Sequence, residues 1–522
     1  MAATSANPSQ LASAVPATVT GVQLMQGIGV QPAKGFWADA WSQVLHRPRA
    51  VAALCWIGLV ALFACFAPVL ASGHPLALTA GGKTSSPLLA NLSTGDYLLA
   101  LAGLFGGLLM LIPMPAPLGL TTARKLKLLA VAMLQGAITV ALAAGAASYF
   151  GQRDLPQWAR DAQTANSFVT ITALLCALPG LLLGTLLMPL GTWLRRAALA
   201  FIIALVCAAA VVLAWKNPPQ VFDYRERAKA GQVSATYTAV PWSPTQRETQ
   251  LRYLPPGADF ETPTRDALVK TLVAGGMPRA DAIAEAQSKY PSASEATFVL
   301  GTDSLGQDVL SQMLHACRLS ISIGLVSTGI AVLIGVSIGA IMGYFGGWID
   351  TLLFRIVEVF MAIPVLFLLI VAAAVLPRNT YVMMAIIGCV TWTGAARFTR
   401  AEFMRLRNMD FVQAAQAAGL PLRSVLFKHM LPNGVTPVLV DASFAIAAAI
   451  QFEAILSFLA LGPAEQASWG RLLASATDEN GAFNWWLAIF PGLAIFLTAL
   501  AYNTLGECLR DAIDPKLKKA RV

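Results

Sequence analysis

Apolar runs long enough to cross a bilayer recur along most of this chain. A helix needs about 20 predominantly apolar residues to span the hydrocarbon. Ten stretches qualify: about 51–71, 96–112, 127–149, 168–190, 197–215, 319–344, 352–376, 379–396, 436–461 and 485–506. The pattern predicts an all-α, polytopic transmembrane helical bundle. The second run is short, and only GTWLRR divides the fourth from the fifth. One long polar stretch, about 216–317, separates the fifth run from the sixth. Within it 266–289 reads as one or two small helices, interrupted at Gly275-Gly276 and Pro278. No solenoid-type repeat is visible.

Basic residues near span ends set orientation. Lys34, Arg47 and Arg49 precede the first run; Arg124, Lys125 and Lys127 follow the second; Arg195 and Arg196 lie between the fourth and fifth. The stretch 397–428 carries Arg397, Arg400, Arg405, Arg407, Arg423 and Lys428 against Glu402 and Asp410, and the tail DPKLKKARV is basic too. With sides alternating, all five groups fall on the cytoplasmic face, both termini are inside, and 216–317 is outside.

Composition agrees: 57% of the 522 residues are hydrophobic and 12% charged, where soluble domains carry about 25% charged residues. The net charge of +9 follows from basic residues beside spans rather than from a nucleic-acid groove. Cys55, Cys65, Cys176, Cys207 and Cys389 sit in apolar runs, where cysteine behaves as a small hydrophobe. No cysteine pair has metal-ligand spacing, and His46, His74, His315 and His429 are scattered, so no metal site is expected. The stretch before Lys34 has no charge and reads as a cytoplasmic tail rather than a secretory signal. The chain has no G-x-x-x-x-G-K-[ST] loop and no catalytic constellation, which points to a non-catalytic subunit.

The segment FVQAAQAAGLPLRSVLFKHMLPN, 411–433, lies on the basic face between two spans. Val412, Ala415 and Ala418 recur at helical spacing, and Gly419 suits a left-handed C-cap. Pro421 suits the first turn of a second helix with Leu422, Val425, Leu426 and His429 on one face, which Pro432 is expected to stop. Two readings fit these residues: an elbow for a cytoplasmic partner, or an amphipathic loop on the bilayer surface. The segment resembles the "EAA" loop of ABC-importer permeases. Gln413-Ala414-Ala415, Gly419, His429 and Leu431-Pro432 hold that register, with Arg423 between, and Gln413 stands where the family usually has Glu. The resemblance implies coupling helices that seat in a groove of an ATPase subunit.

FVLGTDSLGQDVLSQML, 298–314, is similar to the L-G-T-D-x-x-G-R-D-x-x-S-R signature of the second permease in dipeptide/oligopeptide importers, through Gly301, Thr302, Asp303, Gly306 and Asp308. Gln307 and Gln312 replace arginines. Asp303 is expected to cap the short helix that follows, with Val309, Leu310, Met313 and Leu314 as its apolar stripe toward the outer interface. FEAILSFLALG, SWGRLL and GYFGGWIDTLLFRIVEVFMAIP match the same family, as does FWADAWSQVLHRPRA.

The resemblance covers about 36–71 and 217–517 and implies a type I ABC importer permease core, with the spans at 96–215 as a four-helix insertion. The layout is then a cytoplasmic tail at 1–47, the first span at 48–72, the inserted region at 73–215 and a periplasmic loop at 216–317. A core of five spans follows at 318–510, and a basic tail at 511–522. The implied partners are a homologous second permease, two ATP-binding subunits carrying ATP and Mg, and an extracytoplasmic substrate-binding protein. No cofactor is expected in this chain. The implied cargo is di- or oligopeptides, with nickel chelates as the rival within the class; an ion-coupled secondary transporter or a membrane scaffold is the rival outside it.

Gly335, Gly339 and Gly343 form a double G-x-x-x-G for close helix packing, in the core or against the second permease. Glu453 lies inside the ninth run and Asp441 nearer its end, so Glu453 lines the pathway or bonds between helices. Arg355 and Glu358 are spaced to pair on one helix.

Overall fold

The computed structural model describes residues 36–111, 122–151, 162–189, 192–216, 224, 227, 233–289, 297–463, 466–478 and 481–513. Lys34 and the tail before it, the basic end 514–522, and 217–232 apart from Tyr224 and Arg227 lie outside the described residues.

Each apolar run coincides with a helix or a broken pair of helices. The elements begin with a short helix α1 (Phe36–Leu45) and α2 (Pro48–Leu70). The inserted helices are α3 (Thr94–Leu111), α4 (Thr122–Gly151), α5 (Ala162–Leu187) and α6 (Trp193–Lys216). Two small helices, α7 (Thr262–Ala274) and α8 (Arg279–Lys289), fall in the polar stretch. The core follows with α9 (Val309–Phe345), α10 (Gly347–Ala362), α11 (Val365–Val375), α12 (Thr380–Thr391) and α13 (Thr393–Arg407). Among the described residues, six helices are long and apolar enough to cross a membrane singly, and the count reaches eight if α10 with α11, and α12 with α13, are each one span.

Those two pairs correct the sequence reading. The run 352–376 is not one straight span, because α10 and α11 meet at 82°. Ile363 is extended (φ −88°, ψ 128°), the conformation imposed on a residue before proline, and Pro364 has no N–H to carry the ladder on. The run 379–396 bends by 43° at Trp392 and continues as a polar helix to Arg407. The sixth run also begins earlier than expected. α9 has 37 residues, about 55 Å of helix against about 30 Å of hydrocarbon, so its first turns stand clear of the bilayer.

The chain is helical within the membrane but not wholly so outside it. Strands Ala77–Ala80, Lys83–Ser85 and Ser234–Thr236 form an antiparallel sheet that joins the segment after α2 to the segment after α6. Beneath it Trp242 stacks on Phe298 at 4.3 Å. At the opposite end Arg47 pairs with Asp511 at 2.6 Å, and Ala40, Val44 and Ala50 pack on Cys508 and Ala512.

Inside the insertion, α4, α5 and α6 pack through small residues: Ala143, Ala173, Ala177, Ala204 and Ala208. Lipid offers apolar surface as readily as another helix does, so close backbone approach and polar bonds hold such helices together. Gln135 is fully buried and its Nε2 donates to the Ala200 carbonyl at 2.7 Å. A Cβ on Gly184 would lie 2.6 Å from Gln135 Oε1 and 3.0 Å from the Ala200 Cβ. Gly184→Val is therefore expected to cost about 1–3 kcal/mol, read as a lower unfolding temperature of the detergent-purified chain. An unchanged temperature would rule out this packing.

Candidate functional site

The 411–433 hairpin is built on α13. After Met409 the chain forms α14 (Asp410–Ala417), then turns at Gly419 with φ +71°. Leu420 N donates to the Ala415 carbonyl at 3.2 Å and Gly419 N to Gln416 at 2.9 Å. These are the two bonds of a Schellman cap, which favours glycine at its left-handed position. A Cβ there would meet nothing within 4 Å, so the requirement is conformational, not spatial.

The second arm departs from expectation in three ways. Pro421 is extended (φ −62°, ψ 146°) and precedes the helix, its carbonyl accepting from Ser424 N and Val425 N at 2.8 and 3.2 Å. Pro432 does not stop the arm. It sits in the first turn of a segment, Leu431–Gly434, that leads into α15 (Thr436–Phe458). A proline inside a regular α-helix clashes with the carbonyl four residues back; here Val425–Met430 adopts wider π-type turns just upstream, which make room for the ring. The widening also resets the buried face. Val425 and Met430, five apart, point inward, whereas Leu422 is exposed and His429 half-buried.

Val425 and Met430 pack with Val412 and Ala415 against Phe403 and Leu406 of α13. The first arm and α13 are also tied to α9, where Gln416 Nε2 donates to the Tyr344 hydroxyl at 3.3 Å and Arg407 Nη1 to the Phe345 carbonyl at 3.2 Å. Arg400 grips Asp350 of α10 through two bonds of 2.5 and 2.7 Å. The outward surface is different in character. Phe411, Leu420, Leu422 and Phe427 are exposed, Phe427 by 64%, beside exposed Gln413, Ala414, Arg423 and Lys428. Gln413 Nε2 reaches only the Asn408 carbonyl, at 3.5 Å. An apolar face framed by cations suits either a partner or the bilayer surface.

Gly335, Gly339 and Gly343 all face α13. Cβ atoms on them would lie 2.6 Å from the Ala395 Cβ, 2.5 Å from the Ala396 carbonyl oxygen and 2.5 Å from the Phe403 Cβ. The two helices are therefore in backbone contact, and the hairpin has little freedom to move without α9.

On the far side, residues 301–308 form a compact turn. Thr302 Oγ1 donates to the Leu251 carbonyl at 2.5 Å and accepts from Leu254 N at 2.8 Å. Gly301 and Gly306 have φ of +81° and +74°. Asp303 does not cap α9. Its Oδ1 accepts from Leu305 N and Gln307 N at 2.8 and 2.9 Å, and its Oδ2 from Gln312 Nε2 at 2.7 Å. The cap is Asp308, whose Oδ2 accepts from Ser311 N at 2.6 Å. The carboxylate one residue before a helix reaches its third amide, and Asp303 is five residues too early for that. The helix it precedes is α9 itself, not a short one, and Val309 and Leu314 are buried in the protein rather than facing an interface. Asp308→Ala is expected to cost about 0.5–2 kcal/mol and to speed hydrogen exchange at Ser311; protection equal to the wild type would exclude the cap.

Arg471 approaches the same turn, its Nη2 lying 3.5 Å from Gln312 Oε1. Burial pushes its pKa down while the Asp303 carboxylate acts in the opposite sense. Glu453 is fully buried, and its Oε1 accepts from Ser457 Oγ and Ser468 Oγ, both at 2.7 Å. Ser468 in turn caps the short helix α16 (Trp469–Ala474) by accepting from Gly470 N at 3.1 Å. Glu453 thus clasps α16 to α15. Arg355 bonds Glu358 at 2.5 Å on the surface of α10.

Met430, Tyr344, Asp350, Arg471 and Ser468 were not legible as site residues. Met430 depends on the wide turns, and the others acquire their roles only through contacts distant in sequence.

Residues 335–519 match the family described as binding-protein-dependent transport system inner membrane component. Residues 35–86 match the N-terminal TM domain of oligopeptide transport permease C. The oligopeptide transport system permease protein OppC of Haemophilus influenzae is 38% identical over 223 residues, 42% of this chain and 71% of that protein. The di/tripeptide transport system permease protein DppC of Pseudomonas aeruginosa is 38% identical over 227 residues, 43% of this chain and 75% of that one. A putative peptide transport system permease protein of Brucella suis is 37% identical over 257 residues, 48% and 83% of the two chains. Helices α3 to α6 fall outside both family matches.

Proposed function

The chain belongs to the family of binding-protein-dependent transport system inner membrane components, and on that premise we propose that it is the permease subunit of an ATP-driven importer of peptides. The peptide cargo is supported by its relatives, an oligopeptide and a di/tripeptide transport system permease protein. ATP and Mg act on two separate ATPase subunits, a homologous second permease completes the pathway, and an extracytoplasmic binding protein delivers the cargo. The core is of the type I importer kind. Both termini and the hairpin lie in the cytoplasm, which the basic residues at 397–428 support.

The observation that carries the reading is the two-sidedness of the hairpin: apolar and cationic outward, welded to α13 inward. ATPase closure moves the outward face. The inward face passes that motion through Phe403 and the α9–α13 glycine contact to α9, and through the Arg400–Asp350 bond to α10. A ligand shifts such an equilibrium only by its differential affinity for the two states, so ATP biases this chain through its partner. Gln413 takes a hydrogen-bonding rather than ionic part in the contact.

The test is reconstitution of the chain with its ATPases, second permease and binding protein in proteoliposomes. Uptake of labelled peptide that needs ATP, stops with vanadate and rises with the binding protein supports the proposal. Uptake that follows an ion gradient without ATP refutes it.

A further inference from the structure

We propose that Asp441 and Gln451 of α15 line the peptide pathway, Asp441 taking the peptide's amino-terminal ammonium and Gln451 its backbone. The assignment rests on the importer reading above and gives the cargo a direction, with its amino terminus toward the hairpin.

Both residues stand in the apolar run 436–461. Asp441 is half-buried and Gln451 exposed, and neither side chain makes a hydrogen bond or ion pair among the described residues. Glu453, two residues on, shows the contrast: it is fully buried, and Ser457 and Ser468 bond it. A carboxylate and an amide left unbonded against acyl chains are costly, and polar side chains so placed within a span mark pathways. The open side of α15 therefore meets water and cargo rather than lipid.

Asp441 leans on α13 where that helix has no side chain. A Cβ on Gly394 would lie 3.3 Å from Asp441 Oδ2 and 3.9 Å from Oδ1, so the glycine leaves the carboxylate uncovered. Arg397, about one turn further along α13, is exposed and acts on Asp441 through its charge without an ion pair. The carboxylate thus keeps its lone pairs for an incoming donor. At about 100° per residue, Gln451 lies about 80° around the helix from Asp441 with the small Ala448 between them. Along the axis the two are about 15 Å apart, the reach of about four residues of extended peptide. An ammonium brings three donors and no acceptor, which suits Asp441, and a side-chain amide both donates and accepts, which suits a peptide backbone. A carboxyl terminus at Asp441 would set anion against anion.

The experiment uses the full chain, with Cys55 and Cys389 replaced by serine, assembled with its partners in proteoliposomes. Ala445→Cys places a thiol one turn from Asp441. Labelled tetrapeptides carry a cysteine, activated as a mixed disulfide, at either the first or the last position. During ATP-driven uptake the peptide activated at its first position is expected to be captured about tenfold faster than the other. Asp441→Asn is expected to bring the two rates together, and Gln451→Leu to slow both. If the Ala445→Cys chain does not assemble, Ala448→Cys reports from the next turn. Equal capture of the two peptides, capture of neither during sustained uptake, or a preference that survives Asp441→Asn would each overturn the assignment. So would full rescue of Asp441→Arg by Arg397→Asp, which would make the two residues an internal ion pair. Each of those results leaves the importer reading standing, whereas uptake without ATP refutes that reading itself.

Discussion

Leucine in place of Gly339 is expected to lower the yield of folded protein several-fold and its unfolding temperature clearly. A Cβ there would already lie 2.5 Å from the Ala396 carbonyl oxygen, 2.7 Å from the Thr399 Cβ and 3.1 Å from Arg400 N. Two of those atoms are backbone, so no rotamer change relieves the clash, and α13 must move away from α9. Overpacking of this kind costs about 1–3 kcal/mol where side chains can adjust, and more where they cannot. A loss of that size changes cellular abundance several-fold. Gly339→Ala is expected to fall between the two, since it adds the Cβ alone. The measurement is thermal unfolding of the solubilised chain together with the amount recovered from the membrane. A leucine variant with the wild-type temperature and yield would mean that the two helices are not in backbone contact.

The second large effect concerns transport rather than folding. Leu422→Glu with Phe427→Glu is expected to leave the chain inserted and stable, because both side chains already face outward. Burying each of them against a partner is worth about 1.5–3 kcal/mol, so losing both is expected to weaken ATPase association by about a hundredfold or more. Peptide uptake in proteoliposomes is then expected to be lost, while the unfolding temperature stays at the wild-type value. Uptake at the wild-type rate would show that this face is not where the ATPase docks. Gly419→Pro probes the same elbow from its backbone. Proline fixes φ near −65°, against +71° in the turn, so the Schellman cap is lost and the two arms cannot hold their angle.

Much of this architecture is visible in the sequence because much of it is decided locally. Most of the apolar runs are long enough to form a helix in lipid without help from their neighbours, and do; 352–376 and 379–396 form broken pairs instead. Gly419 is legible because a left-handed position after an alanine-rich helix favours glycine. The break at Ile363–Pro364 was not read although the proline stands in the run, because a proline alone does not decide it: Pro68, Pro179 and Pro491 lie inside helices that continue. The wide turns at Val425–Met430 were not. A proline reads as a stop in isolation, and only the continuity of the arm with α15 shows that the helix bends its hydrogen-bond register instead. Asp303 and Asp308 are equally good caps by residue type, and the choice between them rests on where α9 begins. The pairing of Ala77–Ala80 with Ser234–Thr236 was hidden for another reason: the partners lie more than a hundred residues apart, whereas Lys83–Ser85 pairs with Ala77–Ala80 locally, across Gly81-Gly82. The glycine stripe announced close packing but not against what; α13 is polar over much of its length and gave no sign that it carries the matching surface.

The central claim is that an exposed elbow conveys motion from a separate ATPase to helices that hold no nucleotide themselves. Its most direct test is a cross-link. With exposed Cys55 and Cys389 replaced by serine, Phe427→Cys is joined by a bifunctional reagent to a cysteine in the groove of the ATPase subunit. The account predicts rapid cross-linking within the assembled complex, peptide uptake that stops when the link forms, and recovery when a reducible link is cleaved. It is contradicted if the thiol introduced by Phe427→Cys is labelled instead by a membrane-impermeant maleimide from outside the cell, or if the cross-linked complex goes on importing peptide at its original rate.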